Sequence, residues 1–266
     1  MPTFAEKVKR LERLRLLLKR RYGEQPPPAV AHPVEFAIRT ILAEEATRPQ
    51  VDACMDRFRQ HFVDWNDLRV SRPREIREVM GKDFPRSGRK ARAIPRLLDQ
   101  VFKLHNSMVW DFLEAMGKLG VRSYFESLEE VRPFVAATIA RDCLAAHTFP
   151  VDSDVARALG RLGILRPEEQ SESEMQAFLE RAVKSTRAYE THQLIRRLGE
   201  DLCVLPEPLC ERCPLRNLCP TGEKVLAERK EKAAKAKQAA AAKKQAAKAK
   251  SKKAAKRSAA KSAAAA

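Results

Sequence analysis

Apolar residues recur every three to four positions through most of the chain, the spacing that buries one stripe of an α-helix. Val8, Leu11, Leu14 and Leu18 make the first such stripe. The run EQPPPAVAHP, residues 24–33, interrupts it. Pro33 suits the first position of a new helix, where its missing N–H costs nothing, and Phe36, Ala37, Ile38, Ile41 and Leu42 continue that helix as a mostly buried one. The pattern predicts further helices near residues 50–62, 74–81, 89–105, 134–147, 153–163, 171–184 and 186–198. Ser185 is placed as N-cap of the last, with Gly199 at its C-terminal end. No sustained apolar–polar alternation marks a strand, and no internal repeat is found. The chain reads as all-α.

The length of 266 residues allows one large domain or two small ones with a real apolar core. No run approaches the length needed to cross a bilayer, which sets a membrane partner aside. The N-terminal MPTFAEKVKRLERLRLLLKRRYG interleaves charges with its apolar residues and so lacks a secretory signal core. These features predict a cytoplasmic location, associated with the nucleoid if the chain is bacterial. The net charge of +17 is uneven: residues 221–266 hold thirteen Lys and two Arg against three Glu. This Lys/Ala tail has no large apolar residue after Leu226, cannot build a core, and reads as disordered. Two readings stand: a polybasic arm that grips nucleic-acid phosphates, or a solvated extension without a fixed partner.

Four of the six cysteines fall in CVLPEPLCERCPLRNLCP, as Cys203, Cys210, Cys213 and Cys219, spaced C-x6-C-x2-C-x5-C. In a reducing compartment such clusters are metal ligands more often than disulfides. Structural zinc usually joins two C-x2-C knuckles from separate segments, whereas one loop offering four thiolates suits a [4Fe–4S] cluster. Prolines 206, 208, 214 and 220 stiffen the loop and reduce the entropy lost on closing it. Zinc, or no metal at all, are the remaining readings.

The cysteine spacing resembles the cluster loop of endonuclease III-type DNA glycosylases, the helix–hairpin–helix superfamily of base-excision repair. Three other segments are similar to that family: FPVDSDVARALGRLGI (149–164), HPVEFAIRTILAEEAT (32–47) and THQLIRRLGEDLC (191–203). The resemblance implies a two-lobe helical core over residues 1–220. One lobe takes about 1–32 with 146–220 and the cluster loop 203–219, the other about 33–145, with the DNA cleft between them. It implies double-stranded DNA as partner, a monomer, a [4Fe–4S] cofactor, and the catalytic carboxylate on Asp152. An Asp ahead of a helix is also an ordinary N-cap, and Asp152 fits that reading equally. Lys90, in RSGRKARAI, corresponds to the start of a DNA-binding helix, and Glu45 to a glutamine that fills the gap left by an extruded base.

The chain departs from the family at its hairpin, L-P-G-x-G with a lysine two residues on. The corresponding run is LEEVRPFVAAT, residues 128–138. Glu130 and Arg132 replace the glycines whose backbone would approach a phosphate, and Phe134 replaces the lysine amine. Arg132 is a candidate phosphate contact by its side chain, or 128–138 is a plain helix–turn–helix with Pro133 starting the second helix. Without the amine, strand cleavage through a Schiff base has no nucleophile at this position. The expectation is a DNA N-glycosylase of base-excision repair that removes a damaged or mismatched base by hydrolysis without lyase activity. The alternative is a catalytically inactive iron–sulfur DNA-binding or scaffold protein of the same fold.

Overall fold

The structure, a computed structural model, describes residues 2–27, 30 and 32–238. It divides into two units, residues 1–219 and 220–266. All regular secondary structure among the described residues is helical.

In the first unit, α1 (Phe4–Tyr22) starts at a capping box. Thr3 Oγ1 accepts from the Glu6 N–H at 3.3 Å, and Glu6 Oε2 accepts from the Thr3 N–H at 2.7 Å. Gly23, with φ of 75°, stops the helix where a side chain would be strained. Leu11, Leu14 and Leu18 are fully buried, worth roughly 1.5–3 kcal/mol each. They pack in a core with Phe149, Val155 and Leu159 and with Leu194, Ile195 and Leu198. Ion pairs from Arg15 and Lys19 to Glu190 fasten α1 to α11 (Ser185–Asp201).

A second core is built wholly from residues 34–146. It joins α2 (Pro33–Leu42), α3 (Arg48–His61), α4 (Trp65–Val70), α5 (Pro73–Met80), α6 (Ser87–His105), α7 (Phe112–Glu126) and α8 (Pro133–Leu144). After α8 the chain passes to α9 (Ser153–Arg161), α10 (Glu172–Ala182), α11 and the cysteine loop. Two helices, α4 and α7, were not predicted. α4 is only six residues long, too short for a periodic stripe. α7 is broken at Gly117, whose φ of 69° and ψ of 173° divide it into two short pieces.

Local details also differ from expectation. Lys184, not Ser185, caps α11, and Gly199 lies within that helix rather than at its end. A Cβ at Gly199 would stand 2.8 Å from Asp154 Cβ, so the glycine permits the close approach of α9 and α11.

In the second unit, residues 220–238 are helical where the sequence alone predicts no ordered element. Pro220 occupies the first helical position, alanine and lysine are good helix formers, and Glu231 pairs with Lys235 at 2.6 Å across one turn. The rest of the tail lies outside the described residues.

Candidate functional site

The sequence-predicted carboxylate sits at the start of α9. Asp152 is the N-cap: its Oδ1 accepts from the Val155 N–H at 2.8 Å. The same side chain is 2% exposed and faces Arg196 of α11, with Nε 2.9 Å from Oδ2 in a charge contact that lacks hydrogen-bond alignment. Burial pushes the Asp152 carboxyl above its ordinary value, and Arg196 is the strongest influence in the other direction, followed by the Val155 N–H.

Arg196 also reaches the other core. Its Nη2 donates to the Ala43 carbonyl at 3.2 Å, at the C-terminal end of α2, and lies 3.5 Å from Glu200 Oε1. It lines a cavity of about 380 Å³ walled by α2, α3, α8 and α11. That size falls within the range of small-ligand pockets. Phe134 and Thr138 of α8 and Tyr189 and His192 of α11 face it too. His192 is buried and neither ring nitrogen has a hydrogen-bond partner. Burial, then Arg141 and Arg196, holds its pKa well below the ordinary histidine value, so the imidazole is neutral and offers one donor and one acceptor. Arg141, paired with Asp142 at 2.6 Å and stacked 5.0 Å from the Tyr189 ring, leaves Nη1 unpartnered. These unpartnered atoms are themselves enclosed, so hydrogen-bonding capacity that buried polar groups rarely leave unused lies in the wall behind the cavity.

The two residues after Asp152, Ser153 and Asp154, line a second cavity of about 470 Å³, with Glu45, Arg86, Arg157 and Glu200. Glu45 is exposed and carries a positive φ of 57°; Arg86, at φ 54°, holds its carboxylate with Nε at 2.9 Å. Two residues in strained left-handed backbone thus meet as an ion pair at the cavity rim.

Lys90 corrects the sequence reading. It has no exposed surface and cannot contact DNA. Its ammonium donates to the carbonyls of Leu42, at 2.9 Å, and Glu44, and so satisfies the C-terminal end of α2. Burial, helped by Arg89, pulls its pKa down to about 7.

Arg132 is partly exposed and committed to two carboxylates. One guanidinium nitrogen donates to Glu44 and the other to Glu172 at 2.5 Å. Glu44 is buried and also pairs with Arg89. Glu172 accepts from the Phe134 N–H as well, so an internal anion covers the N-terminus of α8. Arg132 is the N-cap residue and Pro133 begins α8. Glu130 adopts φ of 65°, a backbone conformation that favours glycine, although its side chain is large.

The cysteine loop follows α11. None of Cys203, Cys210, Cys213 and Cys219 is in a disulfide, and Cys213 feels the electrostatic influence of the other three. Burial pushes the Cys213 thiol up to about 11. Arg157 and Arg161 of α9 donate to the Cys203 carbonyl at 2.9 and 3.0 Å, and Arg161 points Nη1 at Cys203 Sγ from 3.3 Å. Among the described residues no three ligating side chains are drawn into metal-binding geometry. By chemistry the donor set fits an iron–sulfur cluster: four soft sulfurs on one loop, with N–H donors at its base.

The sequence reading did not single out Arg196, Arg141 or Glu172. A signal for the first existed. His192, Arg196 and Glu200 stand four apart on an otherwise apolar helix face, a polar row at helical spacing.

No family model matches the chain. An endonuclease III of Synechocystis sp. is 25% identical over 227 residues, covering 82% of this chain and 95% of that protein. An endonuclease III of Sulfolobus acidocaldarius is 24% identical over 99 residues, and that match spans 44% of the relative's length and 37% of this chain. A solved structure of a non-covalent endonuclease III–DNA complex is similar with a TM-score of 0.68 at 22% identity, covering 85% of this chain and 100% of that one.

Proposed function

We propose that this endonuclease III-like chain, built on the all-α helix–hairpin–helix glycosylase fold, is a base-excision DNA N-glycosylase that acts on double-stranded DNA as a monomer. The observation that carries the reading is Asp152: a buried carboxylate at a helix start, held against Arg196, whose own side chain lines a cavity. Cleaving an N-glycosidic bond builds positive charge on the sugar, and a fixed carboxylate stabilises that charge or orients the attacking water. The enclosed nitrogens of neutral His192 and the Nη1 of Arg141 would supply donors and an acceptor to a heterocyclic base only if the cavity wall opened toward it. Cys203, Cys210, Cys213 and Cys219 would hold a [4Fe–4S] cluster, which ties the loop to the core. Excision assays on a panel of lesion-bearing duplexes test the reading, and a broad panel left intact would sink it.

Hydrolysis without lyase chemistry is the finer part of the proposal. Phe134 is buried on the cavity wall and offers no amine, and Lys90 is enclosed and bonded to carbonyls. Borohydride should therefore trap no covalent complex with abasic DNA beyond background from exposed amines. Efficient trapping that survives removal of residues 221–266 would refute this.

The tail is proposed as the electrostatic anchor. Each phosphate neutralised adds about −0.9 to the slope of log affinity against log salt on duplex DNA. Ending the chain at Pro220 should flatten that slope markedly; an unchanged slope would assign the grip to the helical core.

A second reading has its own observation. Glu172 covers the N-terminus of α8 and shares Arg132 with Glu44, so this hairpin meets DNA with its anion-binding groups already satisfied. That favours a non-catalytic DNA-binding protein of the same fold, and the excision panel separates the two.

A further inference from the structure

We infer that Arg196 is the positioning residue for Asp152, fixing the direction of its carboxylate and keeping it ionised. In its catalytic consequence the inference rests on the glycosylase reading; in its physical content it does not.

The backbone N–H groups of Val155, at 2.8 Å from Oδ1, and Asp154 hold the carboxylate from the helix side, and the side chain opposite Oδ2 is Arg196, with Nε at 2.9 Å. The N–H groups of Val155 and Asp154 favour its charge, but apart from Arg196 the charged side chains near this carboxylate oppose it. Asp154 stands on the same helix, and Glu200 on α11 is itself a half-buried acid whose pKa is raised, first by burial and also by Asp154 and Asp152. Arg48 of α3 acts on Glu200, and Arg157 is taken by Asp154 at 2.5 Å. A carboxylate so enclosed takes up a proton unless a cation meets it. Arg196 is placed to be that cation because α9 and α11 approach closely at Gly199.

Arg196 is also the link between Asp152 and its surroundings. One end touches the carboxylate, another the Ala43 carbonyl of the opposite core, and its flank forms cavity wall beside His192. Whatever enters the cavity, or shifts α2 against α11, acts on Asp152 through this side chain.

The sign of the effect follows directly. The ionised carboxylate is the active form, so the rate falls as pH drops through the Asp152 pKa. Removing a facing cation raises that pKa, and the acid limb moves to higher pH. For Arg196→Met the limb of the single-turnover rate should rise by about one pH unit or more, the usual reach of one close charge. Below the limb, each pH unit by which it has risen lowers the rate about tenfold, and the rate recovers at alkaline pH. Arg196→Lys, which keeps the charge, should leave the limb near its parental position. A merely structural arginine would lower the rate by one factor at every pH, in both variants.

Carbon-detected NMR of aspartate-labelled protein gives the second readout. The carboxyl resonance lost in Asp152→Asn identifies the group, and its titration midpoint should rise in Arg196→Met. Should Arg196→Met not fold, Arg196→Gln keeps a donor for the Ala43 carbonyl and carries the same test. If the parent excises nothing, the glycosylase reading fails while the midpoint still decides this inference. An unmoved midpoint would overturn it.

Discussion

Under the proposed mechanism Asp152→Asn should lower base excision by about 10²–10³-fold, the loss expected when one preorganised charge is removed from a developing cation. The amide is nearly isosteric with the acid. Its oxygen can still accept the Val155 N–H that the carboxylate takes at 2.8 Å, so the cap of α9 survives. What disappears is the negative charge that the proposed mechanism sets against the sugar cation. Two opposing effects bear on stability. Breaking a buried ion pair typically costs about 3–5 kcal/mol because the remaining charge is stranded. Here Arg196 keeps Glu200 and the Ala43 carbonyl, and the substitution relieves the burial of an acid whose pKa burial had raised. The net loss should be well below that range. Single-turnover excision, with thermal melting of both proteins, checks the expectation. Full activity in the variant would overturn the role of Asp152, and a collapse of melting temperature would overturn the account of its surroundings.

Iron content is the second large effect. Anaerobically purified protein should carry about four irons and four sulfides per chain, the stoichiometry of a cubane held by four cysteines. Cys210→Ser or Cys213→Ser should lose both, together with much of the protein's solubility. Few large apolar side chains hold the loop: Leu215 is buried, but Leu205 and Leu209 are exposed. Polar contacts such as those of Arg157 and Arg161 to Cys203 and its neighbour, and of the Cys219 thiol to the Arg161 carbonyl, supply much of the rest. Thiols in the Cys213 state are protonated at neutral pH, so assembly must release protons and should weaken as pH falls. Iron and sulfide assays with visible absorption measure this. Stoichiometric zinc without iron would end the iron–sulfur reading.

The all-α fold was legible wherever apolar spacing stayed regular over several turns, as in α1 and α6. It failed for α4, too short to show a period, and for α7, which Gly117 divides. At the site, the cap at Asp152 was visible because an Asp ahead of an apolar-periodic run is an ordinary N-cap. Lys90 misled, since its assignment to the start of a DNA-binding helix rested on the resemblance and not on its surroundings. Nothing local reports that its ammonium meets the Leu42 carbonyl, 48 positions away. Glu172 was missed for the same reason. Its partners Arg132 and Phe134 lie some forty residues earlier, and only the packed molecule brings α10 against the start of α8. Pairwise electrostatics across distant segments leaves no trace in a one-dimensional pattern.

The two cores differ in when the chain can complete them. Residues 34–146 form theirs from one continuous stretch, whereas α1 packs against α9 and α11, and its Arg15 pairs with Glu190, 175 positions later. At a synthesis rate of about 5–20 residues per second, α1 emerges from the ribosome roughly 10–35 s before that partner. During the wait, Leu11, Leu14 and Leu18 have no place to bury. The charges between them, and the basic last turn of Lys19, Arg20 and Arg21, keep this orphan helix in solution until the end of the chain arrives to claim it.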